Sequence, residues 1–437
     1  MLVPLPVPNR ASASPSRRRL LARGLGLGLG GACPALLGDG PVGLGTSSAG
    51  GPPGAPIAAV PAYRVSLADY GGQPGAGRTR LVRAFGQAFA ALRRSGGGTL
   101  VVPPGLYDFG EHADATYIVL CRDLRDIAIS AYGATFRATT TATVVPNLFY
   151  FYNFHNITLA GARFIDPGFT PWRNWKGMYC VGLQADRASS GFRIVDCHAR
   201  RVVGLLASNN DAGGRRHMSG IRVQGSVDHA YYGVGASFVR RDVRVELACH
   251  NVRRAFIANA LVDADIHITC SSTAGWPGSN GLVALLCSGA ASGDVENVRV
   301  HVAVSGDCIH GSYVHFYHQG AQAEGTMRDI DATVDVFNMR RVRRLFVFDH
   351  ETDTVARSTA RSWDRITLRG RVLGAFRGEV LSSASASTAG GTVWVDPELA
   401  RLGRMRALPK GFRLAPAAGA AAQQAGQPGK QRLDGDR

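Results

Sequence analysis

The chain has 437 residues, which is enough for one large domain or two of ordinary size. Its formal net charge of +17 and pI near 10.1 favour an anionic partner, but only three lysines occur, so nearly all of the positive charge is arginine. Coding bias alone can also produce such a composition, so the charge by itself does not establish an anionic partner. None of the eight cysteines forms a CxxC pair or has zinc-finger spacing to histidine, which excludes the common structural zinc sites.

The N-terminal 60 residues have the composition of an export signal and a linker rather than of a fold. Ser16-Arg17-Arg18-Arg19-Leu20-Leu21 precedes a Gly/Leu-rich run and resembles a twin-arginine signal. The run is too short and too rich in glycine to span a membrane. We expect a twin-arginine-type signal segment over residues 1–37, a flexible linker over 38–60 and a periplasmic or extracellular location. The alternative is a basic, disordered N-terminus.

The first structural elements are predicted from Tyr63 onward. Residues 65–71 have the pattern of a strand, and apolar spacing predicts an amphipathic helix over residues 79–94. Three glycines end this helix at residues 96–98, and a strand and a tight turn follow over residues 99–107. A helix in this position would cover the open edge of the first coil of a solenoid.

One sequence pattern is repeated three times between Phe192 and Asn259. Arg193, Arg222 and Arg244 open the copies, at intervals of 29 and 22 residues. Each copy has a short alternating strand, a polar or basic turn and a second apolar strand, which is typical of a β-solenoid. Further strands of this kind are predicted near residues 127, 157, 266, 298, 330 and 366. We expect turn roles for the Asp or Asn that precedes several of them: Asp126, Asn156, Asp242, Asp265, Asn297 and Asp329.

The segment Gly-Gly-Gly-Thr-x-Val-x-Pro-Pro-Gly-x-Tyr, residues 96–107, resembles the entry segment of the pectate-lyase-like superfamily. The Asp-Gly-x-x-Asp-Asp usual before the helix is replaced here by residues 75–80. The resemblance implies an all-β fold, a single-stranded right-handed parallel β-helix with an N-terminal capping helix. We place this domain at residues 61–398, with its cap at 63–109, and expect a disordered tail at 399–437. The superfamily includes polygalacturonases, polysaccharide lyases, mannuronan epimerases and phage tailspikes.

The repeated turns offer the side chains that the lyase and epimerase members need. Both reactions remove the proton beside a uronate carboxylate, so cations must neutralise that carboxylate and a base must accept the proton. Equivalent turn residues of successive coils lie about 4.8 Å apart and form a ladder. The predicted catalytic residues are His229, Tyr231, Arg253 and Arg254, and the predicted substrate-binding residues of this region are Arg200, Arg201, Asp228, Tyr232 and Asn251.

A second set of candidate substrate-binding residues consists of Arg343, Arg344 and His350. Phe348-Asp349-His350-Glu351 partly matches an epimerase pattern, without its proline and glycine. Lyases of the superfamily often use calcium, but the sequence has no dense cluster of Asp and Glu. We therefore expect an arginine-based site without cofactor or metal, with calcium as the alternative.

Together these features predict an exported, carbohydrate-active β-helix protein, monomeric or homotrimeric, that acts on an acidic, uronate-containing polysaccharide by proton abstraction. A non-catalytic scaffold that binds exopolysaccharide or supports its secretion is the first alternative. A glycoside hydrolase with two carboxylates is the second, with Asp228, Asp307 and Asp349 as the acids to test. No nucleic-acid motif or membrane span is recognised, and Cys197, Cys249 and Cys270 are expected to be buried thiols.

Overall fold

The computed structural model describes residues 63–112, 116–140, 146–170, 177–209, 217–237, 239–273, 276, 281–288, 293–307, 312–319, 325–337, 343–350, 363–374, 376, 378–383, 391–402 and 412–414. The predicted signal segment and linker lie outside these residues. None of the helices in the described part of the chain has the length and apolar character needed to cross a membrane.

The chain winds into coils whose strands pair in parallel with the equivalent strands of the coils before and after them. The helices are α1 (Arg78–Arg94) and α2 (Pro397–Arg401), with a 3₁₀ helix at Leu67–Tyr70. The strands are β1 (Arg64–Ser66), β2 (Gly98–Val101), β3 (Gly105–His112), β4 (Tyr117–Ser130), β5 (Ala134–Thr140), β6 (Asn147–Ala160), β7 (Arg163–Ile165), β8 (Tyr179–Gln184), β9 (Ser189–Arg200), β10 (Gly204–Asn209), β11 (Met218–Gly235), β12 (Val239–Asn259), β13 (Val262–Ser272), β14 (Val283–Ser288), β15 (Val295–Asp307), β16 (Val314–Gln319), β17 (Met327–Phe337), β18 (Arg344–His350), β19 (Trp363–Leu373), β20 (Glu379–Ser383), β21 (Val393–Val395) and β22 (Phe412–Leu414).

Each coil contributes segments to three faces, which we number in chain order. The first face is defined by one aligned column of core residues, which the exposed Leu414 follows in the last described strand: Leu100, Ile129, Leu159, Ile194, Val223, Val245, Ile266, Val300, Ala332, Leu368 and Val395. Every strand predicted from the alternating pattern lies on this face. The register also aligns Arg193, Arg222 and Arg244, so the three-copy repeat is confirmed as three successive coils.

The second and third faces are aligned in the same way. The second-face column is Tyr107, Phe136, Phe164, Ala199, Val227, Cys249, Cys270, Val304, Val336 and Val372. The third-face column is Val119, Phe149, Val181, Leu206, Val234, Phe256, Val283, Val314, Phe346 and Leu381. A core of large aliphatic and aromatic side chains in every coil explains why this sequence closes into a solenoid. The predicted right-handed parallel β-helix is confirmed.

The N-terminal helix closes the first coil, as predicted. Leu81, Phe85 and Leu92 of α1 are fully buried, and the Phe85 ring packs 5.3 Å from that of Phe149 in the next layer. The preceding strand is shorter than the predicted 65–71 and ends at Ser66. There the Ser66 hydroxyl accepts a hydrogen bond from the Ala68 amide while the Asp69 carboxylate accepts one from the Ser66 amide, which starts the 3₁₀ turn.

The turn between the third and first faces requires a left-handed residue in nearly every coil. Positive φ angles of 49–75° occur directly before the first-face strands, at Asp126, Asn156, Gly191, Gly220, Asp242, Asp263, Asn297, Asp329 and Arg365. Asp, Asn and Gly tolerate this conformation best, which explains their recurrence. The prediction for Asp265 is wrong: Asp263 occupies the turn, and Asp265 lies in β13 on the outer side of the first face.

The described cysteines are buried free thiols, so the prediction for Cys197, Cys249 and Cys270 is confirmed. Burial raises the pKa of Cys197 to about 12, which leaves the thiol unreactive. At the other end of the chain, β22 pairs with β21. The solenoid therefore continues beyond residue 398, the end of the predicted domain.

Candidate functional site

The turn between the second and third faces is short in three successive coils and long on either side of them. Residues 201–203 connect β9 to β10, while β11 and β12 pass through the turn without interruption. Longer connections flank these coils, residues 166–178 before them and 273–282 after them. Loops of this kind on one side of a solenoid commonly border functional surfaces. We call this place the tyrosine–arginine turn and define it by Arg200, Asp228, His229, Tyr231, Tyr232, Asn251, Arg253, Arg254 and Trp276.

Three equivalent residues of this turn have left-handed backbone conformation. They are Arg201, His229 and Asn251, with φ angles of 53°, 51° and 51°. Arg201 donates hydrogen bonds to the carbonyls of Pro167 and Phe169, at 3.1 and 3.4 Å. Its guanidinium therefore contacts the start of the 166–178 connection, and a role of Arg201 in substrate binding stays a prediction.

Asp228, His229 and Asn251 form a hydrogen-bonded row across two coils. The Nδ1 atom of His229 lies 2.5 Å from a carboxylate oxygen of Asp228, whose other oxygen is 3.3 Å from the Nε of Arg200. The Asn251 side-chain oxygen accepts from the Ser272 hydroxyl at 3.0 Å, which leaves its amide nitrogen facing His229 Nε2 at 3.3 Å. This pattern assigns the neutral tautomer with hydrogen on Nδ1 and a lone pair on Nε2.

Tyr231, Arg253 and Trp276 form a packed group beside that row. The guanidinium carbon of Arg253 lies 4.3 Å from the centre of the Tyr231 ring, and the Trp276 ring meets the same tyrosine edge-on at 5.3 Å. The Trp276 indole N–H donates to the backbone carbonyl of Asn251 at 3.2 Å. Asn251 therefore joins the histidine row to a platform that combines aromatic rings with a cation.

Tyr232 and Arg254 extend the platform onto the third face. The Tyr232 ring meets that of Tyr231 at 4.7 Å and is parallel to that of Tyr179 at 6.4 Å. The coil between Tyr179 and Tyr232 carries Gly204, where an added Cβ would lie 2.7 Å from the Tyr179 ring. Only glycine leaves room for this stack.

The two arginines of the turn repel each other in partly desolvated positions. Burial lowers the pKa of Arg253, and the neighbouring charge of Arg254 lowers it further. Burial also lowers the pKa of Arg254, against opposing effects of Tyr232 and Tyr317. A carboxylate has the charge and the planar shape that a guanidinium binds.

The second predicted set is not part of this turn. Arg344 occupies the third-face position equivalent to that of Arg254 three coils later, roughly 14 Å away at the usual strand spacing. Its Nε lies 3.4 Å from the carboxylate of Glu379. Arg343 is exposed beside it, and the backbone of His350 pairs with that of His318, but the His350 side chain lies outside the described residues.

Two of the three acids suggested for a hydrolase, Asp228 and Asp349, lie on strands that are four coils apart. Asp228 contacts Arg200 and His229, and Asp349 lies 3.7 Å from His315 on the third face. The Asp307 side chain lies outside the described residues. Across the described ranges, no three His, Cys, Asp or Glu side chains are placed to hold a metal ion.

Trp276 is the member of the site that sequence reasoning missed. It stands between Gly275 and Pro277 in the connection after a predicted strand, and such a lone loop tryptophan is a usable signal. Its partner Tyr231 lies 45 positions earlier, so only the coil register brings the two together. The other loop tryptophans, Trp172 and Trp175, lie outside the described residues.

Comparisons with known proteins give similarity of fold at low sequence identity. No protein-family model and no curated protein matches the sequence. Among solved structures, the tailspike protein of E. coli bacteriophage HK620 has 13% identity and a TM-score of 0.43, covering 81% of this chain and 67% of that one. The A-module of the Azotobacter vinelandii mannuronan C-5 epimerase AlgE6 has 12% identity and a TM-score of 0.35, with coverage of 73% and 99%. The endo-xylogalacturonan hydrolase from Aspergillus tubingensis has 10% identity and a TM-score of 0.41, with coverage of 81% and 99%.

Proposed function

We propose that this β-helix protein binds an acidic polysaccharide at the tyrosine–arginine turn and removes the proton beside a uronate carboxylate. The observation that carries the proposal is that one turn contains both cations that can bind a carboxylate and a histidine that can accept a proton. Arg253 and Arg254 are adjacent, partly buried cations, and Asn251 connects their platform to a histidine whose Nδ1 is held by Asp228.

Each group has a separate role in this mechanism. Arg253 and Arg254 bind the uronate carboxylate and stabilise the negative charge that spreads onto it when the neighbouring C–H bond breaks. The Tyr231 and Trp276 rings pack against the apolar side of a sugar ring. These are the parts that any acidic sugar would need in order to bind here.

His229 is the proposed base, because Asp228 fixes the tautomer whose Nε2 lone pair can accept a proton. The Asn251 amide faces that lone pair at 3.3 Å, a long contact that a bound sugar can replace. The electron pair of the broken C–H bond then either expels the glycosidic oxygen, which gives elimination, or takes a proton back on the opposite face, which gives epimerisation. Tyr231 is the proposed acid in either case, and the alternative base.

Incubation with alginate, pectate and bacterial exopolysaccharides tests the proposal. Elimination produces unsaturated uronates, which absorb in the ultraviolet, and epimerisation in deuterium oxide places deuterium on the sugar. Either signal, lost in a variant of His229, supports the mechanism. If neither signal develops with any of these polymers, proton abstraction is excluded.

A non-catalytic binding face is the second candidate function. It is favoured by the fact that both ring nitrogens of His229 already have partners, Asp228 and Asn251. The side chain is 33% exposed rather than directed into the core, so the ring is accessible from the surface. Tight binding of uronate oligosaccharides, with no ultraviolet or deuterium signal, would select this candidate. Export through residues 1–37 and the oligomeric state remain predictions.

A further inference from the structure

The outer side of the first face carries a groove that the proposed function does not use. Two cavities of about 320 and 340 Å³ lie on this face and share Asp265 and His267. In the coil register the groove runs from Arg193 to Asp331 over six coils, a length of roughly 24 Å at a spacing of about 4.8 Å. We call it the first-face groove.

The formal charges that line the groove cancel. The two cavities contain four arginines and four carboxylates, with two histidines and uncharged Gln224 and Thr333 among them. Most of these charges are also paired locally. Arg299 lies 3.0 Å from Asp265, and Asp242, which does not itself line the two cavities, lies 3.8 Å from Arg222 and 3.5 Å from Arg244. The groove therefore combines hydrogen-bond donors and acceptors, and the residues that line its two cavities have no net formal charge.

Two carboxylate–imidazole pairs stand in adjacent coils at the centre of this groove. Nε2 of His267 lies 2.9 Å from Asp265, and Nε2 of His301 lies 3.2 Å from Asp335. The two rings meet edge to face at 5.7 Å. Asp335 is 6% exposed and also accepts hydrogen bonds from Arg371, at 3.0 and 3.3 Å. These pairs fix both imidazoles through Nε2, and neither Nδ1 has a hydrogen-bond partner among the described residues.

We propose that the first-face groove is a second saccharide-binding site, which takes an uncharged, hydroxyl-rich sugar chain. A sugar hydroxyl both donates and accepts hydrogen bonds, so a row of neighbouring hydroxyls matches a row in which carboxylates and imidazole Nδ1 atoms accept and guanidiniums donate. A uronate chain would bring a charge that the balanced groove does not neutralise. This assignment is independent of the chemistry at the tyrosine–arginine turn.

Calorimetric titration of the full chain with xylohexaose, cellohexaose, mannohexaose and a hexauronate tests the assignment. We expect at least one neutral hexasaccharide to bind the wild-type protein. His301→Gln and Asp265→Asn should raise its Kd at least tenfold, whereas Arg253→Ala should change it less than twofold. His267→Gln, at a side chain that is 55% exposed, provides a variant that disturbs folding least, and thermal melting verifies that each variant is folded.

Three results would overturn the assignment. One is that no neutral hexasaccharide binds the wild-type protein. Another is that Arg253→Ala abolishes the binding, which would move the ligand to the turn. The third is unchanged affinity in folded His267→Gln and His301→Gln. Because the hexauronate is titrated separately, failure of the groove and failure of the turn give different patterns.

Discussion

The tyrosine–arginine turn and the first-face groove share four coils but differ in how their charged side chains are arranged. In the turn, Arg253 and Arg254 are adjacent, and each is further disfavoured by burial. In the groove, guanidiniums are paired with carboxylates, as Arg299 is with Asp265. The coil repeat sets the same spacing along the turn and along the groove. The side chains alone therefore decide which ligand each of them can bind. Two neighbouring cations favour an anionic ligand, and paired charges favour a polar, uncharged one.

His229→Asn is the substitution that we expect to impair the tyrosine–arginine turn most while leaving the first-face groove unchanged. Asparagine already occupies the same left-handed position at Asn251 in the next coil, so the backbone is retained. Loss of the base should lower turnover on the active polysaccharide by about 10²–10⁴-fold. Initial rates by ultraviolet absorbance measure this effect, and binding of neutral hexasaccharides serves as the internal control. A variant with wild-type rates would remove His229 from the mechanism.

The buried carboxylate of Asp166 stabilises the start of the 166–178 connection, which flanks the tyrosine–arginine turn. It is fully buried and accepts hydrogen bonds from the amides of Thr140, Gly168 and Met178, at 3.0, 3.0 and 3.2 Å. Asp166→Ala leaves these donors without an acceptor and should cost about 3 kcal/mol of unfolding free energy. Urea denaturation measures the loss, which Asp166→Asn should partly restore. Equal stability of the alanine variant and the wild type would contradict this role.

Two substitutions of Arg253 separate the effect of its charge on ligand binding from the effect of its planar guanidinium shape. Arg253→Ala should raise the Kd for a hexauronate by about 10–100-fold, the usual effect of losing charge-assisted hydrogen bonds. Arg253→Lys keeps the charge but not the planar fork, so its effect should be intermediate. Titration calorimetry measures both, with Arg83→Ala on the exposed side of α1 as the matched control. If the control weakens binding as much as Arg253→Ala, the attraction is due to overall charge.

The smallest expected effect is the contribution of Asp335, in the first-face groove, to the pH dependence of folding stability. Burial alone would raise the pKa of Asp335, but hydrogen bonds from Arg371 and His301 lower it overall. A lowered folded-state pKa gives stability that is present above the unfolded value, about 3.9, and is lost as pH falls through the folded value. Thermal melting between pH 7 and 3 should therefore show a steeper acid loss in the wild type than in Asp335→Asn. Parallel curves would show that the carboxylate is not held in this way.

The sequence was sufficient for the solenoid because its strands repeat and its core positions alternate. Register between coils followed directly from Arg193, Arg222 and Arg244, and the turn group from residues aligned with them. Asp265 was placed in the wrong position because Asp263, two residues earlier, is equally compatible with a turn. Only the fold shows which one has a positive φ angle.

Side-chain contacts between coils could not be predicted from one sequence where a loop of variable length separates the two residues. Trp276 reaches Tyr231 through a loop whose path the repeat does not specify. The pairing of His301 with Asp335 joins residues 34 positions apart whose separation includes a variable connection. Side-chain direction at such positions depends on loop length and packing, and these carry no periodic signal.

The most direct test of the two-site account is NMR of the histidine side chains in the wild-type protein during ligand titration. Signals are assigned with His229→Asn, His267→Gln and His301→Gln. The account predicts that a hexauronate shifts the His229 signals and leaves those of His267 and His301 in place, while a neutral hexasaccharide does the reverse. Shifts of the same histidines by both ligands, or of none by either, would contradict it.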